Sequence, residues 1–466
     1  MKTVTVFKDP SPVKRSAVNL AWLADGKKLA VAYCNLRFQA STEGMSNASH
    51  IWDVTNPNEP IENLIPQSPL CCIEYYHKDQ HMIAGGSYNG VMQYWDTRHA
   101  KRPVGRTAIE ESHKEPIWDL KWLHSKQIEI LTVSTDGQAF IWDCRKPEKP
   151  TEIVNVKKID ADTLPLLPKD NIGGARGILG GTCLDYDPSV GGPSKFMVGT
   201  EQGTILTCNR KASGGKSTAD KITHTFNGHH GPVYSVQRNP SCQGAFSKYF
   251  LSVGDWTARL WVDDFKNFPM YSTFYHKAHL TYGCWSPVRA GVFFTTRMDG
   301  VLDVWDIVTR QSGPVLSVQV SDYALHTARP TPEGHFLAVG GVDGTTTLLE
   351  LSAALATPTT AEEKINIQKM FENEALRDKN LAAQQKAKEK AREKSKKAAQ
   401  SRSSEKDAGA VDEEELKAEA EKFLKTVEAD EDKQKKELDA LQAARDKLKA
   451  DIEDGAEIED DAEPKI

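Results

Sequence analysis

Four stretches of the chain count the same six residues from an aspartate or asparagine to a tryptophan, and nothing else in the sequence constrains the fold as tightly. They are "HMIAGGSYNGVMQYWD" (81–96), "IEILTVSTDGQAFIWD" (128–143), "LSVGDWTARLWVDD" (251–264) and "GVFFTTRMDGVLDVWD" (291–306). The counts run Asn89 to Trp95, Asp136 to Trp142, Asp255 to Trp261 and Asp299 to Trp305. Each stretch is an apolar run, a turn and a second apolar run. Asn-Gly and Asp-Gly accept the positive φ of a tight two-residue turn, and the flanking Val, Ile, Phe and Tyr suit strands packed between sheets.

Three weaker copies complete the series. "KFMVGTEQGTILTCN" (195–209) has Gln202 at the turn and Cys208 in the tryptophan place, and "HFLAVGGVDGTTTLLE" (335–350) has Asp343 and Leu349. A further copy ends at Trp52-Asp53, its strands parted by an insertion. Short apolar strands precede several copies, as in "PIWDLKWL" (116–123), "PVYSVQRNP" (232–240) and "LTYGCWSPV" (280–288). The copies end at Asp53, Asp96, Asp143, Asn209, Val262, Asp306 and Glu350. A period in the forties with Trp-Asp endings predicts an all-β, seven-bladed WD-repeat β-propeller over residues 1–352. Residues 2–7, "KTVTVF", alternate as a strand and are expected to complete the last blade, removing an open edge.

Composition divides the chain where the repeats stop. Residues 361–466 carry 23 Lys/Arg and 30 Asp/Glu with Phe371 and Phe423 as their aromatics, a segment unable to build a core of its own. Residues 353–466 read as a charged tail, helical and coiled-coil-like over 361–399 and 412–453, broken at "SRSSEKDAGA" (401–410) and disordered at the acidic end. A net charge of −6 argues against a nucleic-acid coat. No run of 18 apolar residues and no signal-like N-terminus occur, so neither a membrane span nor secretion is expected. Eight cysteines without a CxxC pair read as reduced thiols in strands, and the histidines show no metal spacing.

Candidate site residues follow from the repeat. In WD-repeat propellers a His–Asp–Ser–Trp network commonly holds a blade together. His113, Ser134, Asp136 and Trp142 form one such set, His229, Asp255 and Trp261 a second, and Asp299 with Trp305 the remains of a third. The His–Asp pairs also resemble a hydrolase arrangement, but no nucleophile motif accompanies them, which leaves the structural reading. "ASGGKST" (212–218) lacks the first glycine of a phosphate-binding loop, and "IGGARGILGG" (172–181) lacks the strand–loop–helix setting of a dinucleotide site; no cofactor is expected. Trp118-Asp119 falls out of register with the Trp-Asp endings. Trp256 stands where Gly90, Gly137, Gly300 and Gly344 follow the turn residue, so this turn is expected to differ. Trp256, with Arg259 nearby, either covers a neighbouring loop or anchors a partner.

Several phrases carry a family resemblance. "DWTARLW" (255–261), "CWSPVRAGVFFTTRMDGVLDVWD" (284–306), "KFMVGTEQG" (195–203) and "GHHGPVYSVQRNP" (228–240) resemble the propeller of dynein intermediate chains. "KTVTVFKDP" and "LAVAY" are similar to the axonemal outer-arm type and separate it from adaptors of cytoplasmic or intraflagellar-transport dynein. The resemblance implies a non-enzymatic scaffold in the cilium or flagellum. Its partners would be a dynein heavy chain and a second intermediate chain, with microtubule association through the complex. The family's light-chain-recruiting N-terminal extension does not precede Lys2 here, so light-chain binding does not follow from the resemblance.

Overall fold

The computed structural model describes residues 1–36, 44–99, 101–156, 179–188, 194–210, 221–240, 246–264 and 268–406, with parts of 420–436. Seven antiparallel four-stranded sheets form the blades of a propeller. Six blades use consecutive strands; the seventh combines strands from both ends of the propeller. Its outermost strand is Lys2–Lys8, paired along Thr345–Glu350 from Lys2 opposite Glu350 to Lys8 opposite Thr345. The third strand of each blade ends at Asp53, Asp96, Asp143, Asn209, Val262, Asp306 and Glu350, the copy endings read from the sequence.

Seven buried clusters fill the interfaces between neighbouring blades, and each of the five repeat-ending tryptophans belongs to the interface with the blade before it. Trp95 meets Ala21, Ala30 and Ile51 of blade 1, and Trp261 meets Cys183, Met197 and Ile205 of blade 4. Trp52 meets Phe7, Ala338 and Leu348 of blade 7, which closes the ring. In blade 4, Cys208 takes the position against Leu131 and Ile141 of blade 3. Burying an indole of about 150–250 Å² stabilises by roughly 4–6 kcal/mol as an upper estimate, so these positions tie blade to blade.

The turns correct one expectation. In the blades with a turn glycine the loop has three residues, as between Ser134 and Gln138 or between Arg297 and Val301, with the glycine third and at positive φ. A three-residue hairpin places its left-handed residue last, which is why glycine follows the aspartate. A Cβ at Gly300 would come within 1.8 Å of the Ser321 carbonyl, so close approach demands glycine as much as φ does. Among the described turns between second and third strands, the one of two residues is Asp255-Trp256, where Gly254 pairs directly with Thr257. Blade 5 is one residue shorter here, and Asp255 takes the left-handed conformation itself at φ 48°, the only non-glycine to do so among the described residues.

Every inner strand carries a bulge near its start, at the third residue in blade 1 and the second in the others: Val18, Cys71, Trp118, Thr182, Tyr234, Thr281 and His326 are skipped by the pairing. Below the bulges, side chains on four inner strands bond the next blade. Glu74 accepts from Trp122 N–H at 3.1 Å, Asp119 from Leu184 N–H at 2.8 Å, Asp185 from Arg238 N–H and Gln237 from Trp285 N–H at 2.7 Å. Asp119, out of register as a repeat ending, is thus an inter-blade acceptor. Burial raises the Asp185 pKa to about 6, with Lys121 offsetting part of the effect. A raised carboxyl pKa costs stability as pH climbs from the ordinary 3.8 through about 6. Asp185→Asn keeps an acceptor for Arg238 and is therefore expected to flatten this part of the stability profile, read by denaturant melts at pH 4 and pH 7. An unchanged slope between those values would contradict the assignment.

Beyond the blades, the chain returns to the propeller. Thr359 donates its N–H to the Val288 carbonyl, and Thr360 and Glu363 cap the next helix reciprocally. That helix, Ala361–Lys406, buries Ile367, Phe371 and Ala375 against Phe246, Tyr249, Met270 and Ile307 of blades 5 and 6. The compact unit containing the propeller accordingly runs Met1–Asn380, and Leu381–Ile466 form a second unit. The break expected at 401–410 is absent up to Lys406, since no glycine or proline precedes Gly409 there. Residues 420–427 are helical, and most of the rest of 412–453 lies outside the described residues.

Candidate functional site

In blade 3, His113 Nδ1 lies 2.9 Å from Asp136 Oδ2, and its Nε2 lies 2.9 Å from Thr132 Oγ1. Trp142 Nε1 donates to the same Oγ1 at 2.9 Å. One proton arrangement satisfies all three contacts: Nδ1–H donates to Asp136, the Thr132 hydroxyl donates to Nε2, and the hydroxyl oxygen accepts the indole N–H. Ser134 is therefore not the network hydroxyl. Its Oγ donates to the Glu115 carbonyl at 3.0 Å instead. Residues 132 and 134 share a face of the strand, but register sets Thr132 opposite Phe140, a diagonal neighbour of Trp142, while Ser134 borders the turn.

Blade 5 repeats the device with Ser252, which the sequence reading missed. His229 Nε2 and Trp261 Nε1 both lie 2.8 Å from Ser252 Oγ, and His229 Nδ1 lies 3.4 Å from Asp255 Oδ1. Burial opposes the charge on Asp255, yet bonds from His229, His230 N–H and Thr257 hold its pKa far below the ordinary value. Burial lowers the pKa of His229, which Asp255 offsets in part. The turn aspartate thus caps Thr257 N–H and His230 N–H at 2.8 and 2.9 Å, fixing the left-handed turn.

The third set is rearranged. Trp305 Nε1 donates to Thr295 Oγ1 at 3.1 Å, but Asp299 is engaged by Arg297 at 2.6 Å and does not reach a histidine. His276 faces Asp303 at 3.7 Å and packs edge-on to Trp305. Asp299 thus leaves the network because Arg297, two residues away, captures it.

Hydroxyl, imidazole and carboxylate stand in the order of a nucleophilic triad, but Thr132 and Ser252 are fully buried and their oxygens already accept an indole N–H. Removing a hub that serves two buried donors or acceptors costs about 2–3 kcal/mol. Thr132→Val is expected to destabilise by that amount, and Ser134→Ala by about 1 kcal/mol or less. Chemical denaturation of the two variants checks the order; equal losses would contradict the hub. Among the described residues no group of three or more His, Cys, Asp or Glu is placed to hold a metal, and no helix is long and apolar enough to cross a membrane. The "ASGGKST" loop and most of "IGGARGILGG" lie outside the described residues.

Trp256 is 45% exposed and meets His279 edge-to-face at 5.0 Å. Arg259, on the strand after the turn, donates from Nε to Thr257 Oγ1 at 3.2 Å.

Seven four-stranded blades, two of them holding this histidine–carboxylate–hydroxyl–tryptophan relay, define a WD-repeat β-propeller. Residues 106–143 match the model of the WD domain, G-beta repeat, and residues 189–351 that of the dynein axonemal intermediate chain 3 WD40 domain. The ciliary dynein intermediate chain 3 of Heliocidaris crassispina is 48% identical over 387 residues, 83% of this chain and 61% of its own length. The 70 kDa intermediate chain of the flagellar outer arm dynein of Chlamydomonas reinhardtii is 45% identical over 432 residues, 92% of this chain and 71% of its own. Dynein axonemal intermediate chain 2 of Homo sapiens is 46% identical over 384 residues, 82% of this chain and 60% of its own. The chain belongs to the axonemal dynein intermediate chain family. It spans about three-fifths to seven-tenths of the length of these relatives.

Proposed function

We propose that the chain is a non-catalytic scaffold subunit of an outer-arm axonemal dynein, located in the ciliary or flagellar axoneme. There it joins a dynein heavy chain to a second intermediate chain and reaches the microtubule through the complex. The observation that carries this reading is 45–48% identity over more than four-fifths of the chain to relatives named as ciliary and flagellar outer-arm intermediate chains. Burial of both triad-like hydroxyls supports a structural rather than catalytic use of the blade networks. Trp256, exposed at a turn, supports a partner contact there, with Arg259 behind it. Depleting the chain from a flagellated cell is expected to remove outer arms from axoneme cross-sections and to slow the beat. A full set of outer arms after depletion would refute the reading.

A further inference from the structure

In an antiparallel blade read from the inner strand outward, the turn between the second and third strands and the connection to the next blade share one end. That end is where the inner strands begin and their bulges lie. At this end of blades 5 and 6 the exposed side chains are of one kind. Trp256 occupies the blade 5 turn, and Tyr234 is the bulged residue of the inner strand, 38% exposed. Phe274 and Tyr275, in the connection between the two blades, are 51% and 64% exposed, and Met298 in the blade 6 turn is 51% exposed. Backbone bonds knit the set: His276 N–H to the Trp256 carbonyl, Leu280 N–H to that of Asp255, and Met298 N–H to that of His279. The His279 ring bridges Tyr234 at 5.5 Å and Trp256 at 5.0 Å, joining the inner strand to the blade 5 turn.

The connections on either side of blade 5 are one-sided in charge as well. The two connections, "NGHHGP" (227–232) and "TFYHKAH" (273–279), hold no carboxylate and expose Lys277 and His230, while His229 and His276 are buried. Of the acids in the blade 5 and blade 6 turns, Asp255 is fully buried and Asp299, though exposed, is paired with Arg297 at 2.6 Å. The two connections thus set an exposed cation, Lys277, beside exposed aromatic faces. Blade 5 holds Asp255 in a left-handed conformation to present an indole where other blades have glycine, a strain of the kind found at functional surfaces.

We propose that this face of blades 5 and 6 seats an acidic, amphipathic segment of a partner protein. The segment's apolar side chains lie over Trp256, Phe274, Tyr275 and Met298, and its carboxylates face Lys277 and His230. Charge complementarity selects the acidic segment, and the exposed aromatics supply the anchors that dominate interface energies. The proposal rests on the scaffold reading above and names the chemistry of the contact. It is tested with tagged full chain purified from flagellar extract, measuring the dynein heavy chain retained as salt is raised. Trp256→Ala and Lys277→Glu are each expected to weaken retention about tenfold, with Lys277→Arg near wild type and all three melting as wild type does. Wild-type retention should fall as salt screens the charges. Undiminished heavy-chain retention by both Trp256→Ala and Lys277→Glu overturns this site while leaving the scaffold reading standing. A wild-type chain that retains no heavy chain overturns both.

Discussion

Arg15→Ala is expected to cost about 3–5 kcal/mol. The Arg15 guanidinium is buried and grips Asp9 through Nε at 2.8 Å and Nη2 at 2.6 Å. Its Nη1 donates to the carbonyls of Ser46 and Ala48 at 2.7 and 2.6 Å, and its plane lies over Tyr33. Asp9 follows the closing strand and donates its own N–H to Gly344 in blade 7. The cluster therefore clasps the seam of the ring, where the first strand of the chain joins the last blade to the first. Truncating Arg15 takes the guanidinium from a buried carboxylate and from the carbonyls of Ser46 and Ala48. Burial works against the charge on Asp9, but bonds from His50 and Arg15 hold its pKa below 3.8. A lowered carboxyl pKa means that this stabilisation is complete above the unfolded value and drains away as pH falls beneath it. Denaturant melts at pH 7 and below pH 3.8 measure both effects. A loss under 1 kcal/mol at pH 7 would contradict the clasp.

Phe371→Ala is the second large effect, and it is local. The ring is fully buried, 4.8 Å from Tyr249 and 6.1 Å from Phe246, at the centre of the contact between the helix and blades 5 and 6. Removing a buried Phe costs about 3–5 kcal/mol, set here against the docking of one helical segment rather than the whole ring. Amide exchange over 364–376 is expected to accelerate roughly 100-fold or more, while the inner strands keep their protection. Leu376→Ala, at a position facing solvent, should change nothing. Unaltered exchange in the Phe371 variant would mean that the helix is held by something else.

These two positions also mark what a single sequence conceals. The blade count and the seven strand ends were legible because turn chemistry, spacing and tryptophan identity repeat together. Asp9, Arg15 and His50 are brought together by the ring seam, which no repeat foreshadows. Thr132 and Ser134 lie on one face of a strand, so alternation alone cannot tell which hydroxyl meets the indole; the pairing register decides it. The extra residue that separates the three-residue loops from the turn at Asp255 is invisible to a six-residue count, because it falls before the aspartate. Phe371 sits in a tail too charged to form its own core, and it uses the propeller's instead. The spacing of Ile367, Phe371 and Ala375, four residues apart along one helix face, was the available signal.

The central claim is that this ring serves as a structural hub of an axonemal motor. Quantitative mass spectrometry of the tagged full chain, affinity-purified from axonemal extract, tests it most directly. The account predicts one dynein heavy chain and one further WD-repeat intermediate chain recovered in near-equal amounts with the tagged chain. Recovery of the chain alone, or with complexes that contain no dynein heavy chain, would contradict it.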